Sequence, residues 1–238
     1  ATMQIEENLA LAARRGKRRT LRIGITKDGR WVEYTGRNDE ITSQKWEQDP
    51  TLRTAIVSPD RSHKGVLLLS KEGWELVPVD ICFPVLHGKH GEDGTIQGLF
   101  QLAGIPFVGC DTISSANCMD KEITHTILEA HGIKMAKWLV VNHEKMQQFE
   151  QFAQQAEEKL GYPMFVKPAN AGSSVGVGKA HNRQELKAAC ETALKEDYKA
   201  VVEECIEMQE VETAVLGNAD AKAAGVVGEL VPVVEFYT

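Results

Sequence analysis

A succession of strand, loop, helix and strand in residues 79–109 limits the fold more than any other part of the sequence. It consists of an apolar run at 79–86 (VDICFPVL), a polar loop at 87–94 (HGKHGEDG), a helical pattern at 95–104 (TIQGLFQLAG) and a second short apolar run (IPFVG). Such apolar runs are typical of strands buried on both faces of a parallel sheet, and a helix between them makes a crossover connection. The first part of the chain is therefore predicted to be an open α/β domain with a parallel sheet.

The residues before this unit are predicted to form an amphipathic helix and two hairpins. The helix covers residues 3–13, and the hairpins cover 21–34 and 65–80, each with a glycine in its turn. Residues 36–62 are polar and turn-rich, and no strand is predicted there.

The second half of the chain is predicted to be a smaller α+β module. Its predicted helices are 118–131, 145–160 and 183–196, and its predicted strands are 164–167, 199–206 and 210–218. With a boundary near Gly109–Cys110, we expect a first domain at 1–109, a central domain at 110–207 and the start of a further, truncated domain at 208–238.

Composition excludes several classes of protein. The net charge of −7 and the pI of about 5.6 argue against nucleic acid as a partner, and the basic cluster at 14–19 is interpreted as a solvated helix end. The five scattered cysteines predict a reducing compartment and neither a disulfide framework nor a structural zinc site. No apolar run approaches the roughly 18 residues of a membrane span, so a cytoplasmic protein without membrane contact is expected.

A loop rich in glycine and serine follows the predicted strand 164–167 and ends at Lys179. It does not match a P-loop, because Ser173 replaces the first glycine and Ala180 replaces the hydroxyl residue that binds Mg²⁺. It does not match the dinucleotide fingerprint either, because His181 stands where the third glycine is required. What remains is a glycine-rich flap between two strands, whose amides could wrap phosphates, or else a plain flexible turn.

Two further segments contain candidate polar ligands. The segment 201–207 (VVEECIE) passes from an apolar strand into glutamates, and Glu210 follows; these could accept hydrogen bonds from adenine and ribose or lie on a solvated surface. His87 and His90 are three residues apart, but the glycines around them predict a loop instead of the helix of a zinc motif.

Three long segments resemble the D-alanine–D-alanine ligase family, whose members are ATP-grasp enzymes of peptidoglycan synthesis. They are 83–121 (FPVLHGKHGEDGTIQGLFQLAGIPFVGCDTISSANCMDK), 165–179 (FVKPANAGSSVGVGK) and 203–218 (EECIEMQEVETAVLGN). Residues 23–36 and the HGKHGED loop resemble the VanG-type branch, whose members make D-Ala–D-Ser in vancomycin resistance. The resemblance covers nearly the whole chain.

The resemblance implies a role for each matching residue. Lys121 and Lys167 would contact the phosphates of ATP, and Ser173, Ser174 and Val175 would belong to the flap that closes over the transferred phosphoryl group, with Ser173 and Ser174 as the catalytic candidates. Glu203, Glu204, Cys205 and Ile206 would line the adenine pocket, Glu210 would approach the ribose, and His87 and Glu92 would lie beside the amino-acid site.

The resemblance also implies the ligands and the reaction. ATP with Mg²⁺ or Mn²⁺ would phosphorylate D-alanine, and a second D-amino acid, D-Ala or D-Ser, would attack the acylphosphate. The family's first strand and loop, its metal ligands and an active-site arginine have no counterpart in this sequence, so family segments are expected to be absent. A homodimer is expected by analogy.

Two alternatives stay open from the sequence. The chain could bind nucleotide without ligase activity, or it could be an ATP-grasp ligase that acts on another carboxylate.

Overall fold

The computed structural model describes residues 19–41, 45–172 and 175–231. These divide into two compact units. The first contains the described residues up to Leu86 and Gly94–Thr112, and the second contains His87–Asp93 and the described residues from Ile113 onward. The helix predicted at 3–13 and the serines Ser173 and Ser174 lie outside the described residues.

The first unit is built on a five-stranded sheet in the order β1-β2-β3-β4-β5, with antiparallel pairing throughout. Its strands are β1 (Ile23–Ile25), β2 (Trp31–Glu33), β3 (Thr54–Val57), β4 (Gly65–Ser70) and β5 (Gly73–Pro78). Its helices are α1 (Asn38–Ile41), a 3₁₀ turn (Lys45–Gln48) and α2 (Thr95–Ala103).

One face of this sheet packs against α2. Ile96, Phe100 and Ala103 recur at the spacing of one helical face and are buried against Val66 and Leu68 of β4. Helix α2 ends at Gly104, whose φ of 67° is the left-handed conformation that glycine adopts without steric cost.

The parallel sheet predicted for the first part of the chain is wrong for the described residues. The hairpin over 65–80 is confirmed, but its tight turn permits antiparallel pairing alone, and the unpredicted strand β3 adds to it in the same sense. The parallel pairing that we expected between 79–86 and 105–109 is an isolated bridge between Cys82 and Phe107. The combination of helices and sheets in one chain is confirmed.

The second unit contains a four-stranded antiparallel sheet in the order β6-β9-β7-β8. Its strands are β6 (Trp138–Asn142), β7 (Met164–Pro168), β8 (Gly178–Ala180) and β9 (Lys199–Glu204). Its helices are α3 (Thr112–Met119, of which Thr112 belongs to the first unit), α4 (Lys121–Ala130), α5 (His143–Gln147), α6 (Phe149–Lys159) and α7 (Arg183–Glu196).

Short strands follow at the end of the described chain. They are β10 (Glu210–Glu212), β11 (Val215–Leu216), β12 (Lys222–Ala223) and β13 (Gly228–Leu230), and they pair as β10 with β13 and β11 with β12. In the part of the chain that the structure describes, no helix combines the length and the apolar character needed to cross a membrane.

Helices α6 and α7 cover one face of the four-stranded sheet. The core contains Phe152 and Ala156 of α6 and Leu186 and Cys190 of α7, packed against alternate residues of the strands such as Val202. Helix α7 has the bounds that its sequence predicts, and Asn182 caps it by accepting a hydrogen bond from the Glu185 N–H at 2.9 Å.

The single helix predicted at 118–131 is two helices in the structure. Asp120 breaks it with an extended backbone (φ −80°, ψ 106°) and caps α4 by accepting a hydrogen bond from the Ile123 N–H at 3.2 Å. The predicted helix 145–160 is likewise divided, between α5 and α6 at Gln148.

Candidate nucleotide site

The face of the four-stranded sheet opposite α6 and α7 carries two of the charged residues that the sequence singles out, Lys167 and Glu203. Side chains alternate along a strand, so β7 sends Met164 and Val166 into the core and Lys167 to the other face. Strand β9 does the same, with Val202 in the core and Glu203 on the other face. The two strands thus place a lysine and a glutamate on one surface.

Lys167 and Glu203 form an ion pair on this surface. Phe165 lies directly opposite Glu203 in the strand register, so Lys167 is its diagonal neighbour. The Lys167 Nζ lies 2.6 Å from Oε2 of Glu203, whose side chain is 10% exposed. A carboxylate this buried requires a cation or hydrogen-bond donors beside it.

Lys121 begins helix α4 and points its ammonium group at the start of the glycine-rich loop. The Lys121 Nζ donates to the carbonyl of Ala171 at 2.7 Å, and the Lys121 N–H donates to the carbonyl of Ala169 at 3.0 Å. Burial lowers the pKa of Lys121, and the positive charge of Lys167 lowers it further. The structure therefore brings together the two lysines that were predicted to contact phosphates.

His125 lies one turn along α4 and was not singled out in the sequence. Its Nδ1 contacts the Lys121 carbonyl at 2.5 Å, its Nε2 lies 3.3 Å from Oε1 of Glu203, and its ring centre lies 5.3 Å from that of Trp138. Burial lowers the pKa of His125, against the opposing effect of the Glu203 charge. Because a carbonyl accepts and cannot donate, Nδ1 carries the proton in the neutral ring.

The glycine-rich loop joins β7 to β8, as the sequence predicts. Its described part contains Val175, which is 51% exposed and donates its N–H to the Gly172 carbonyl at 3.2 Å, and Gly176, whose φ is 71°. Lys179 follows on β8, with its Nζ 5.4 Å from the centre of the Phe165 ring. Backbone amides and two flanking lysines are the groups that bind phosphate in such loops.

The residues predicted to hold adenine and ribose continue from the end of β9. Oε1 of Glu204 accepts the Lys137 N–H at 2.7 Å, and its Oε2 lies 3.7 Å from the Lys137 Nζ. The Cys205 N–H donates to the Pro163 carbonyl at 3.2 Å, Ile206 is exposed, and Glu210 begins β10. The backbone after Glu204 therefore leaves the sheet beside the residue that precedes β7.

His87 and Glu92 lie in a loop that belongs to the second unit. The His87 Nδ1 lies 3.9 Å from Oε1 of Glu92, and Oε2 of Glu92 accepts the Gly88 N–H at 2.5 Å. A Cβ atom added to Gly172 would lie 3.5 Å from the Cα of Gly88, so this loop approaches the start of the glycine-rich loop.

Two residues that lie around Lys121, Asp120 and Lys199, were not singled out in the sequence. The sequence gives a weak signal for Asp120 and none for Lys199. Asp120 stands directly before the helical pattern of α4, which is where N-cap residues occur. Lys199, which pairs with Asp120 at 2.9 Å, looks in the sequence like any surface lysine at the start of a strand.

Among the described residues, no group of three or more His, Cys, Asp or Glu side chains is arranged to hold a metal ion.

Comparison with known proteins identifies the family. The family model "D-ala D-ala ligase N-terminus" matches residues 4–110, and "D-ala D-ala ligase C-terminus" matches residues 127–238. The expectation that family segments are absent is therefore wrong at the level of domains, because both domains of the family are represented.

Relatives and solved structures agree with these matches. The chain is 49% identical to a D-alanine–D-alanine ligase of Clostridium acetobutylicum, over 90% of this chain and 59% of the relative. A crystal structure of the VanG D-Ala:D-Ser ligase from Enterococcus faecalis matches with a TM-score of 0.78 and 44% identity, over 88% of this chain and 59% of the other. The D-alanine–D-alanine ligase of Coxiella burnetii matches with a TM-score of 0.71 and 29% identity, over 88% of this chain and 60% of the other.

The chain thus spans about 59% of the length of the curated ligase of C. acetobutylicum. The two models of one family and relatives at 49% identity lead to one assignment. The chain belongs to the D-alanine–D-alanine ligase family.

Proposed function

We propose that the surface formed by α4, β7, β9 and the glycine-rich loop binds the phosphates and the adenine of ATP. The observation that supports this most directly is the placement of Lys121 and Lys167. The Lys121 ammonium group contacts the first carbonyls of the loop, Lys167 lies on the adjoining strand, and the charge of Lys167 contributes to the lowered pKa of Lys121. Two cations beside backbone amides are suited to a polyphosphate.

The reaction proposed for this site is the ATP-dependent joining of D-alanine to a second D-amino acid. A carboxylate is a poor acylating agent, so it is first phosphorylated, and the amino group of the second substrate then displaces phosphate. In such a transfer the protein positions the reactants and neutralises charge. Lys121 and Lys167 would neutralise charge on the phosphates, and closure of the loop would exclude water.

The remaining site residues are assigned by resemblance to the family. Adenine and ribose would be bound by Glu203, Glu204, Cys205, Ile206 and Glu210. Ser173, Ser174 and Val175 would close over the transferred phosphoryl group, and His87 and Glu92 would lie beside the amino acid.

The identity of the substrates rests on the relatives. The names of several relatives at 42–49% identity state D-alanine–D-alanine ligase, and that of the VanG structure states D-Ala:D-Ser ligase. We therefore propose that D-alanine is the substrate that is phosphorylated and that D-alanine or D-serine is the acceptor. ATP would be bound with Mg²⁺ or Mn²⁺, and the dipeptide would be used to make peptidoglycan precursors.

The proposed setting is a homodimer in the cytoplasm. None of the five cysteines, all of which lie in the described residues, forms a disulfide, which is consistent with a reducing compartment. The dimer is proposed from the family resemblance, and sedimentation of the purified protein would test it.

The experiment that tests the function is ADP release from MgATP, measured without amino acid, with D-alanine alone, and with D-alanine plus D-serine. We expect ADP only when D-alanine is present, together with a dipeptide identified by mass spectrometry. ATP binding that amino acids do not alter, with no ADP release, would contradict ligase activity. ADP release triggered by a different small carboxylic acid, and not by D-alanine, would contradict the proposed substrate.

A further inference from the structure

Lys199 is a buried lysine for which the proposed reaction has no direct use. It is the first residue of β9, and its side chain is 7% exposed. Its Nζ lies 2.9 Å from Oδ2 of Asp120 and 2.5 Å from Oε2 of Glu122. Burial alone would lower the pKa of Lys199, but its hydrogen bonds with Glu122 and Asp120 outweigh that effect and raise it. Lys199 is therefore held as a cation between two carboxylates.

These two carboxylates belong to the residues on either side of Lys121. Asp120 caps helix α4, and Glu122 lies in its first turn, so both are fixed to the backbone from which the Lys121 side chain departs. The backbone adds a second connection, because the Ala169 N–H donates to the Lys199 carbonyl at 3.1 Å and the Lys121 N–H donates to the Ala169 carbonyl at 3.0 Å. Lys199 thus holds the start of α4 against the end of β7.

The same cluster holds the entry to the glycine-rich loop. The Asn170 side-chain amide donates to Oδ2 of Asp197 at 2.9 Å and to Oδ2 of Asp120 at 3.3 Å, and its backbone N–H donates to Oδ2 of Asp197 at 2.8 Å. The Lys121 ammonium contacts the next carbonyl along, that of Ala171. One set of charged side chains therefore positions both the lysine and the loop that would hold phosphate.

We propose that Lys199 is a positioning residue for nucleotide binding. It holds Lys121 in a fixed position relative to the start of the glycine-rich loop and does not itself contact the nucleotide. This inference rests on the proposed function of the site. Without the Lys199 charge, Asp120 and Glu122 would lack their shared cation and would attract the Lys121 ammonium, which already experiences the charge of Asp120. Even a small displacement of a group that positions a substrate can strongly weaken its binding and slow its reaction.

The test compares Lys199→Met with Lys199→Arg, which keeps the charge, and with Lys195→Met, which removes the charge of an exposed lysine on α7. For each variant of the whole protein, MgATP affinity is measured by calorimetry, KM for ATP and kcat are measured by ADP release, and the unfolding midpoint is measured without nucleotide. We expect Lys199→Met to bind ATP roughly tenfold to a hundredfold more weakly. We expect kcat to change less than KM, Lys199→Arg to recover most of the affinity, and Lys195→Met to match the wild type.

A folded Lys199→Met variant that binds ATP as the wild type does would overturn the inference. If that variant does not fold, Glu122→Gln is used instead, because it removes one of the two ion pairs of Lys199. We expect this change to raise KM for ATP severalfold, and an unchanged KM would likewise overturn the inference. An absence of ATP binding by the wild type would instead overturn the proposed function, so the two failures are distinguishable.

Discussion

The ammonium group of Lys167 lies 2.6 Å from the carboxylate of Glu203, on the sheet face that we assign to nucleotide binding. The two residues come from neighbouring strands, β7 and β9, and Glu203 is the more buried of the two. A phosphate group that approaches Lys167 must therefore compete with a carboxylate that is already in place. If the site binds phosphate as we propose, this competition would lower its affinity.

Glu203→Gln should strengthen the binding of inorganic triphosphate, because the change removes the competing negative charge and keeps the shape of the side chain. The Lys167 side chain is 31% exposed, so we expect a gain of about fivefold, which corresponds to about 1 kcal/mol for a partly exposed pair. The affinity for ATP should increase less than the affinity for triphosphate, because the same variant loses the proposed contact with adenine. Calorimetric titrations with triphosphate and with ATP measure both effects, and weaker triphosphate binding by the variant would contradict this account.

His125 should make the stability of the protein depend on pH. Burial lowers the pKa of His125 below the ordinary 6.5 in the folded state. The negative charges of Glu203 and Glu129 raise this pKa, whereas the positive charges of Lys167 and Lys121 lower it further, and the net shift is downward. The unfolded chain therefore binds more protons as pH falls through about 6.5, and the free energy of unfolding decreases in that range. Urea unfolding at pH 7.5 and pH 5.5 should show a larger loss on acidification for the wild type than for His125→Gln. Equal losses would refute the assignment of a lowered pKa.

Gly176→Ala should destabilise the protein through the glycine-rich loop. The φ of Gly176 is 71°, and an added Cβ would lie 2.9 Å from the Cγ of Pro168, whose ring cannot move aside. A left-handed alanine costs about 1–2 kcal/mol before any clash is counted. Gly225→Ala is the matched control, because no atom lies within 4 Å of its added Cβ, and it should change the free energy of unfolding by less than about 0.5 kcal/mol. Urea midpoints that shift equally in the two variants would argue against the strained geometry.

The sequence predicted those helices and strands that are determined by residues close together in the chain. Helix α7 has the predicted bounds because Asn182 caps it and its apolar residues recur at helical spacing. The β7–β8 hairpin was likewise predictable from an apolar strand followed by glycines. Lys121 and Lys167 were predicted by resemblance to contact phosphates, and in the structure the charge of Lys167 acts on Lys121.

Interactions between distant parts of the chain were not predictable in the same way. Helix 118–131 reads as continuous, but Asp120 leaves the helical conformation to cap α4, and its carboxylate meets Lys199 from a strand far along the chain. Strand β3 lies in a polar stretch and is recognisable through its pairing with β4. His125 resembles an ordinary helix residue until α4 packs it beside Glu203.

The measurement that tests the central claim most directly is a calorimetric titration of MgATP into the wild type, Lys167→Met and Lys195→Met. We predict roughly a hundredfold weaker binding for Lys167→Met, because the change removes one partner of the proposed charge contact with phosphate, and wild-type binding for Lys195→Met. The double variant Lys167→Met/Glu203→Gln, which leaves no unpaired carboxylate, controls for misfolding and should bind as weakly as Lys167→Met. Wild-type affinity in a folded Lys167→Met variant would contradict the claim that this sheet face binds the phosphates of ATP.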